Sequence, residues 1–295
     1  MPRLSVIVPH QGDDQRLETT LVSLLEHRPD DCEILVVHDG TYSNPYALDD
    51  EIVFVETEAG LSTPQLLNEA LMAACSPTIH FLVDGIRVTE GWEAQAVQCM
   101  ERNSEVAAVA IPVHSKNRVR YSFDLRALKD TSRLQKGAVS LTQDRDSRIG
   151  CQLSCGLFRK EVLLALGGLK HTSLAAAEYD LSASLKAMQY DLLCDYESAV
   201  ESDHANFDAD ATPADLGRAA VEHGYMQSGL MATISQSLPL LLTRPAVGMQ
   251  WLSSVRVAKF GSQKQRIAEA ERRLAEKAEQ RDAEQRGDHF YRRAA

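Results

Sequence analysis

Residues 78–92 read TIHFLVDGIRVTEGW, a stretch that begins as one type of element and ends as another. TIHFLV is a short apolar run, which is typical of a strand covered on both faces in a parallel sheet. The run ends at a single carboxylate, Asp84, and the residues after it lead into a helix-forming segment. Asp84 therefore marks the end of a buried strand, where metal or phosphate chemistry is often found in α/β proteins.

The same alternation of apolar runs and helix-period segments extends over residues 1–113. Four further runs resemble the first: LSVIVP (4–9), EILVVHDG (33–40), IVFVET (52–57) and VAAVAIPV (106–113). The helix-period segments are DQRLETTLVSLLEH (14–27), STPQLLNEALMAAC (62–75) and TEGWEAQAVQCMER (89–102). In the second of these, Thr63 is expected to be the N-cap and Pro64 the first helical residue. The alternation predicts an α/β domain with a mostly parallel, doubly wound sheet.

In such a sheet, ligands bind at the carboxyl ends of the strands. The candidate binding loops are therefore PHQGDD (9–14), HDGTYS (38–43) and DGIRV (84–88). The chain has neither a GxGxxG after its first strand nor a P-loop, which disfavours a dinucleotide enzyme or a Walker-type NTPase. The formal net charge of -11 argues against general nucleic-acid binding, because phosphate contact needs clustered positive charge.

Cysteine usage and apolar segments indicate the compartment. The six cysteines form no CxxC pair, which favours reduced thiols in the cytoplasm, and CQLSC (151–155) predicts a strand with both cysteines on one face. We expect no signal peptide. The segment 231–252 is interrupted by Pro239, Arg244 and Pro245, so it predicts a helical hairpin packed on the main domain. Peripheral contact with the inner face of a membrane is the alternative.

Two charged segments lie outside this alternation. Between residues 116 and 136, seven Lys and Arg residues stand against two Asp residues, which fits an anion-binding segment or a solvated loop equally well. Residues 263–286 are helix-forming and highly charged, with few apolar residues at heptad spacing. They predict a solvated helix, with weak self-association through this helix as an alternative.

The loops at the strand ends resemble those of the family 2 glycosyltransferases, over about residues 1–205. LSVIVPHQGD keeps the proline of the family's first loop as Pro9, followed by His10, and VVHDGT keeps Asp39 with His38 before it. The resemblance implies a Rossmann-like GT-A fold in which these four residues contact the nucleoside of a nucleotide-sugar donor. A neutral His38 is expected to accept a hydrogen bond from the base in place of a carboxylate.

The family's Leu-Asp-x-Asp motif falls on FLVDGI, with Val83 and Gly85 in place of the flanking acids. The resemblance implies a divalent metal, Mn²⁺ or Mg²⁺. Asp84 is also expected to contact the nucleoside of the donor. Asp84 and His204 remain as the candidate metal ligands, so we expect weak metal binding or none. Arg87 and the basic residues between 116 and 136 are expected to supply the positive charge that holds the diphosphate.

Two downstream segments, LSCGLFRKEVLLALGGLK (153–170) and residues 177–204, resemble the acceptor side of the same family. The resemblance implies that Glu178, expected near the start of a helix, is the general base of an inverting transfer. Taken alone, Glu178 and Asp180 also fit first-turn acids favoured by the helix dipole, and Asp84 fits a turn cap.

These observations predict a GT-A domain at 1–205, a helical extension at 206–260 and a charged C-terminal helix at 261–295. The resemblance implies transfer of a sugar from a nucleotide diphosphate sugar to a carbohydrate or glycolipid acceptor, as in the assembly of cell-surface polysaccharides. The alternative is a catalytically inactive relative that uses the fold for binding or as a scaffold.

Overall fold

The structure is a computed structural model that describes residues 2–115, 118–120, 123–124, 129–130, 149–203, 219, 222–223, 249 and 262–293. Its strands are β1 (Leu4–His10), β2 (Cys32–His38), β3 (Val53–Glu56), β4 (Thr78–Leu82), β5 (Ile86–Arg87), β6 (Val106–Ala110), β7 (Val113–Ser115), β8 (Arg118–Arg120), β9 (Phe123–Asp124), β10 (Lys129–Asp130), β11 (Ile149–Gly150), β12 (Cys155–Arg159), β13 (Asp191–Cys194) and β14 (Val200–Ser202). Its helices are α1 (Asp14–Glu26), α2 (Thr63–Ala73), α3 (Ala94–Arg102), α4 (Lys160–Ala165), α5 (Leu174–Ala187) and α6 (Ser262–Arg293).

The central sheet has seven strands in the order β13-β6-β12-β4-β1-β2-β3. Strand β12 runs antiparallel to both of its neighbours, whereas the other pairs are parallel. This arrangement confirms the mostly parallel α/β sheet. After β3 the chain returns to pair β4 with the opposite side of β1, so the topological switch point of the sheet lies between β1 and β4.

Helices cover both faces of the sheet, which explains why the strands are continuously apolar. Alternate residues of β1 point to opposite faces, with Val6 and Val8 in one core and Ile7 in the other. The first core contains the apolar faces of α1 and α3, and the second contains those of α2, α4 and α5. The sheet is therefore doubly wound, as the sequence predicts.

Two local expectations are corrected. The N-cap of α2 is Ser62, whose N–H donates to Oε1 of Gln65 at 2.9 Å, so Thr63 is the first helical residue. CQLSC does not form one strand, because β12 begins only at its last residue, Cys155. Both of its cysteines are nevertheless buried, and all six cysteines of the chain are free thiols.

Helix α6 is solvated over only part of its length, whereas the sequence predicts a solvated helix throughout. Ile267 and Ala270 are buried and Leu274 is half-buried, and Ala270 and Leu274 pack into the core formed with α4 and α5. From 275 to 284 the side chains are exposed. The boundary expected at 205/206, most of the extension at 206–260 and most of the apolar segment 231–252 lie outside the described residues. Among the helices that are described, none is both long and apolar enough to cross a membrane.

Candidate functional site

Three neighbouring strands bring the predicted nucleoside loops together. His10 ends β1 and lies in register with His38 at the end of β2, while β4 pairs with the other side of β1 and is followed by Asp84. Pro9 is buried one residue before the end of β1. The carboxyl ends of β4, β1 and β2 therefore form one continuous edge that includes the switch point.

The turn after β4 fixes the direction of Asp84. Val83 before it is 7% exposed and packs into the core, and its N–H donates to the carbonyl of Ser154 at 3.0 Å. Gly85 after it has a φ of +82°, a left-handed conformation that glycine adopts without steric cost. The N–H of Gly85 donates to Thr20 Oγ1 at 2.8 Å, which ties the turn to α1. Neither neighbour of Asp84 thus presents a carboxylate at the edge.

Asp84 is paired with cations of the chain itself. Nη2 of Arg16 lies 2.9 Å from the main-chain oxygen of Asp84 and 3.2 Å from its Oδ1. Nδ1 of His10 lies 3.7 Å from Oδ2. Both carboxylate oxygens therefore face positive or ionisable nitrogen atoms.

His10 is buried between two carboxylates. Its Nε2 lies 3.0 Å from Oδ1 of Asp14, on the opposite side of the ring from Asp84. Burial lowers the pKa of His10, but hydrogen bonding and charge from Asp84 and Asp14 outweigh it and raise the pKa above its usual value. Because the side chain is fully buried, its action on a ligand at this edge would pass through these two carboxylates.

His38 and Asp39 offer complementary hydrogen-bonding groups. Nδ1 of His38 accepts the N–H of Gly40 at 3.2 Å, and burial lowers the pKa of His38, so the neutral ring carries its proton on Nε2. His38 is therefore arranged to donate, not to accept as expected. Asp39 accepts a hydrogen bond from Thr41 Oγ1 at 2.6 Å, which lowers the pKa of Asp39 and leaves an ionised acceptor at the surface.

Arg87 lies on β5, which belongs to a small four-stranded sheet of order β5-β14-β7-β8. Two acids on or directly after β14 of this small sheet pair with Arg87. Its guanidinium pairs with Asp203 at 3.0 Å and with Glu201 at 3.4 Å, across the β5–β14 pair. His204 lies outside the described residues, as does most of the basic segment between 116 and 136. The structure therefore places Arg87 in a carboxylate pair and not directly beside Asp84.

Glu178 is buried and both of its oxygens are used. Helix α5 begins at Leu174 with Ser173 as its N-cap, so Glu178 is in the second turn and not at the helix start. Its Oε2 accepts from Arg120 Nη2 at 2.8 Å, and its Oε1 accepts the N–H of Leu153 at 2.7 Å. At 1% exposure, Glu178 neutralises a buried arginine and satisfies a buried backbone donor.

Glu178 is nevertheless connected to the strand edge. Arg120 also donates to Oγ of Ser154 at 2.9 Å, and the carbonyl of the same serine holds the N–H of Val83, next to Asp84. The segment around Ser154 thus lies between the buried pair and the turn that carries Asp84. This chain of contacts joins the expected acceptor side to the expected donor side.

A second buried cluster surrounds Asp180. The Asp180 carboxylate accepts hydrogen bonds from His223 Nε2 at 3.1 Å, from Gln263 Nε2 at 2.8 Å and from Arg266 Nη1 at 2.5 Å. Burial alone would raise the pKa of Asp180, but the neighbouring histidines His171 and His223 and the Arg266 guanidinium hold it well below its usual value. Two of these partners belong to α6, so the cluster fastens that helix to α5.

The donor set at Asp84 does not fit a metal ion bound by the protein. A hard cation needs several free oxygen ligands, and both oxygens of Asp84 already face Arg16 and His10. Within the described ranges, no group of three or more His, Cys, Asp or Glu side chains is arranged to hold a metal ion.

Sequence reasoning missed Arg16. It is the third residue of α1, in the first helical turn, where the helix dipole disfavours a cation. A basic residue in that position, directly after a loop at the ligand edge of an α/β sheet, was the available signal. The contact with Asp84 joins residues 68 positions apart, which helical periodicity cannot reveal.

By sequence, the chain matches no family model and no curated protein. Its fold, in contrast, is similar to that of solved glycosyltransferase structures. One is GalNAc-T7 with UDP, GalNAc and Mn²⁺, at a TM-score of 0.57 and 14% identity, covering 75% of this chain. The chain spans about half of that protein, 48% of its length.

Two further structures match over more of their own length. The mannosyltransferase PcManGT from Pyrobaculum calidifontis, in complex with GDP-Man and Mn²⁺, gives a TM-score of 0.53 at 14% identity and covers 93% of this chain and 85% of its own. Residues 1–349 of S. aureus TarS with UDP-GlcNAc give 0.57 at 11% identity, covering 85% and 79%. At such identities the likeness establishes the architecture, and the chain adopts the GT-A fold of these glycosyltransferases.

Proposed function

We propose that the protein is a glycosyltransferase that moves a sugar from a nucleotide diphosphate sugar to an acceptor hydroxyl of a carbohydrate or glycolipid. The observation that carries the proposal is the convergence of His38, Asp39 and Asp84 at the carboxyl ends of β2 and β4, the two strands that flank β1. The likeness to glycosyltransferases solved with UDP, GDP-Man and UDP-GlcNAc supports a nucleotide sugar as the donor.

In this proposal the nucleoside lies against the loops that follow β1 and β2. The ionised Asp39 accepts a hydrogen bond from a base N–H, and Nε2 of His38 donates to a base or ribose oxygen. Asp84 accepts a hydrogen bond from a ribose hydroxyl, and the buried His10, with Pro9 before it, orients Asp84 from behind. These roles assign each polar group a partner of the opposite hydrogen-bonding character.

Glu178 is the proposed base of an inverting, family 2-like transfer. It would take the proton of the acceptor hydroxyl while the oxygen attacks the anomeric carbon and the nucleoside diphosphate leaves. The ion pair with Arg120 places a positive charge beside Glu178, and the pair would have to open to admit the acceptor. Its 1% exposure favours a second candidate function, binding of a nucleotide sugar without turnover.

The test is calorimetric and thermal-shift titration with uridine, guanosine and thymidine diphosphate sugars, followed by measurement of nucleoside diphosphate released in the presence of sugar acceptors. A ligand at about 100 times its dissociation constant should stabilise the protein by about 2.7 kcal/mol. Release of nucleoside diphosphate supports the transferase, and donor binding without release supports binding of a nucleotide sugar without turnover. No response to any donor would contradict both.

Asp39→Ala should weaken donor binding about tenfold or more, because it removes a charged acceptor from the base. The matched control is Asp49→Ala on the same β2–β3 connection. Asp49 is also an exposed carboxylate with one local side-chain partner, the Nδ2 of Asn44 at 2.9 Å. We expect the control to bind as the wild type does, and equal losses in the two variants would argue against a base contact at Asp39.

A further inference from the structure

The carboxylate that follows β4 is neutralised from within the chain by a side chain with an open face. Arg16 reaches Asp84 through Nη2 alone, at 2.9 Å to the main-chain oxygen and 3.2 Å to Oδ1. Within the described part of the chain, Nη1 of Arg16 makes no hydrogen bond, and the side chain is 31% exposed. Nη2 is thus fixed and Nε is buried without a hydrogen-bond partner, whereas Nη1 is not among the buried nitrogen atoms of the side chain.

We propose that Arg16 binds the diphosphate of the donor, in the place where a metal ion held by carboxylates would otherwise neutralise it. The inference rests on the proposed function above. A guanidinium suits this task because its planar array of N–H donors can contact two phosphate oxygens at once and its charge does not depend on pH. The pairing with Asp84 holds the guanidinium in position before the ligand arrives, which lowers the entropy cost of binding.

The other arginines near the site are occupied elsewhere. Arg87 donates to Glu201 and Asp203 on the small sheet. Arg120 is buried, with its guanidinium shared between Glu178 and Ser154. Among the side chains that the structure describes, Arg16 is the arginine that lies directly beside the carboxylate at the switch point.

The surrounding charges make this contact decisive for an anionic ligand. Asp13 caps α1, and Asp14 pairs with His10 at the same edge. Without Arg16, the diphosphate would face these acids and Asp84 with little compensating charge from the other side chains that the structure describes, and like charges in a partly buried site repel strongly. The loss of Arg16 therefore removes an attraction and exposes a repulsion.

The experiment measures binding of UDP, GDP and thymidine diphosphate by calorimetry, with EDTA and separately with Mn²⁺. The variants are Arg16→Gln, which removes the charge, and Arg16→Lys, which keeps it and loses the planar fork. Arg28→Gln is the matched control. Arg28 is 30% exposed and likewise holds a main-chain oxygen, of Cys32 at 2.9 Å, and a carboxylate, of Glu51 at 2.6 Å, but it lies just beyond the other end of α1.

We expect the wild type to bind at least one of the three nucleotides in EDTA, and Mn²⁺ to leave that affinity unchanged. Arg16→Gln should weaken binding roughly tenfold to a hundredfold, with Arg16→Lys between the two and Arg28→Gln equal to wild type. If Arg16→Gln does not fold, as judged by circular dichroism, Arg16→Lys must still weaken binding.

Two results would overturn this inference and leave the proposed function intact: wild-type binding that requires Mn²⁺, or Arg16 variants that bind as tightly as the wild type. Failure of the wild type to bind any of the three nucleotides, with or without Mn²⁺, would contradict the proposed donor site and the role of Arg16 together.

Discussion

His80, a single buried residue of β4, should control the stability of the fold in acid. Its ring is 4.6 Å from the ring of Trp92, its Nε2 is 3.5 Å from Sγ of Cys155, and burial lowers its pKa from 6.5 to about 3. The unfolded chain therefore takes up a proton before the folded protein does. The stability that depends on neutral His80 is complete above pH 6.5 and is lost as the pH falls towards about 3.

His80→Leu should remove this dependence, since leucine has no proton to gain. At about pH 5 the difference in acid sensitivity amounts to about 2 kcal/mol. The measurement is the change in unfolding free energy between about pH 7 and about pH 5, by urea denaturation, for wild type and variant. His114→Leu, at an exposed position on β7, is the control and should keep the wild-type change. An unaltered change in His80→Leu would contradict the prediction.

The residues of the strand edge were predictable to the extent that they follow strands. His38, Asp39 and Asp84 each end or follow a continuous apolar run, and parallel strands place such residues at one edge. What each side chain contacts was not predictable. The burial of the His10 side chain and the pairing of Arg16 with Asp84 depend on how α1 packs on the turn at Gly85. That packing is a contact between distant parts of the chain.

At the scale of the element, Arg266 of α6 connects this helix to α5 and to the loop that follows α4. It donates to Asp180 on α5 and to the carbonyls of Leu166 and Gly168, which follow the end of α4, both at 2.8 Å. Leu166 is the C-cap of α4, where a helix leaves carbonyl oxygens without an intrahelical partner, and Gly168 lies two residues further along the chain. Arg266→Gln should cost about 3–5 kcal/mol of stability, because it leaves the buried Asp180 without its arginine.

The same helix supplies the control for this prediction. Arg272 is 64% exposed and pairs with Glu269 one turn earlier. Arg272→Gln should leave the unfolding free energy nearly unchanged, because an ion pair between exposed side chains contributes little to stability. Urea denaturation of both variants near neutral pH checks the contrast, and losses of similar size at the two positions would show that the Asp180 cluster does not anchor α6.

Elements were predictable where burial is repeated along the chain. The parallel strands β1, β2, β4 and β6 are apolar because helices cover both faces of the sheet, and this burial is visible in their composition. The edge strand β3 is only partly buried although its run is also apolar, contrary to the expectation that all five runs are covered on both faces. The antiparallel direction of β12 cannot be read from its composition, since a buried antiparallel strand is as apolar as its buried parallel neighbours. The strands of the small sheets have two or three residues, too few for a period. The docked face of α6 rests on Ile267, Ala270 and Leu274, fewer apolar residues than a predicted amphipathic helix needs.

At the scale of the whole molecule, α5 connects the C-terminal helix to the strand edge. Asp180 binds Arg266 and Gln263 of α6, whereas Glu178, two residues earlier, binds the N–H of Leu153 beside the segment that holds Val83. A change in how α6 packs on α5 is therefore expected to affect the turn at Asp84, through α5 and the extended segment at Leu153 and Ser154. The first part of α6, residues 262–274, thus packs on α4 and α5, whereas the described side chains of the second part, 275–284, are exposed.

Two truncations separate these parts. Ending the chain after Ala275 removes side chains that are exposed from 276 to 284, among them Arg281, whose ion pair with Glu161 lies at the surface. It should lower the unfolding free energy by no more than about 1 kcal/mol. Ending the chain before Ser262 uncovers the apolar surface under Ile267 and Ala270 and leaves Asp180 buried without Arg266, so the melting temperature should fall sharply and near-UV circular dichroism should weaken. Both signals are measured on the full-length chain and the two truncations. If the chain that ends before Ser262 melts as the full-length chain does, α6 is an appendage and its connection through α5 does not contribute to stability.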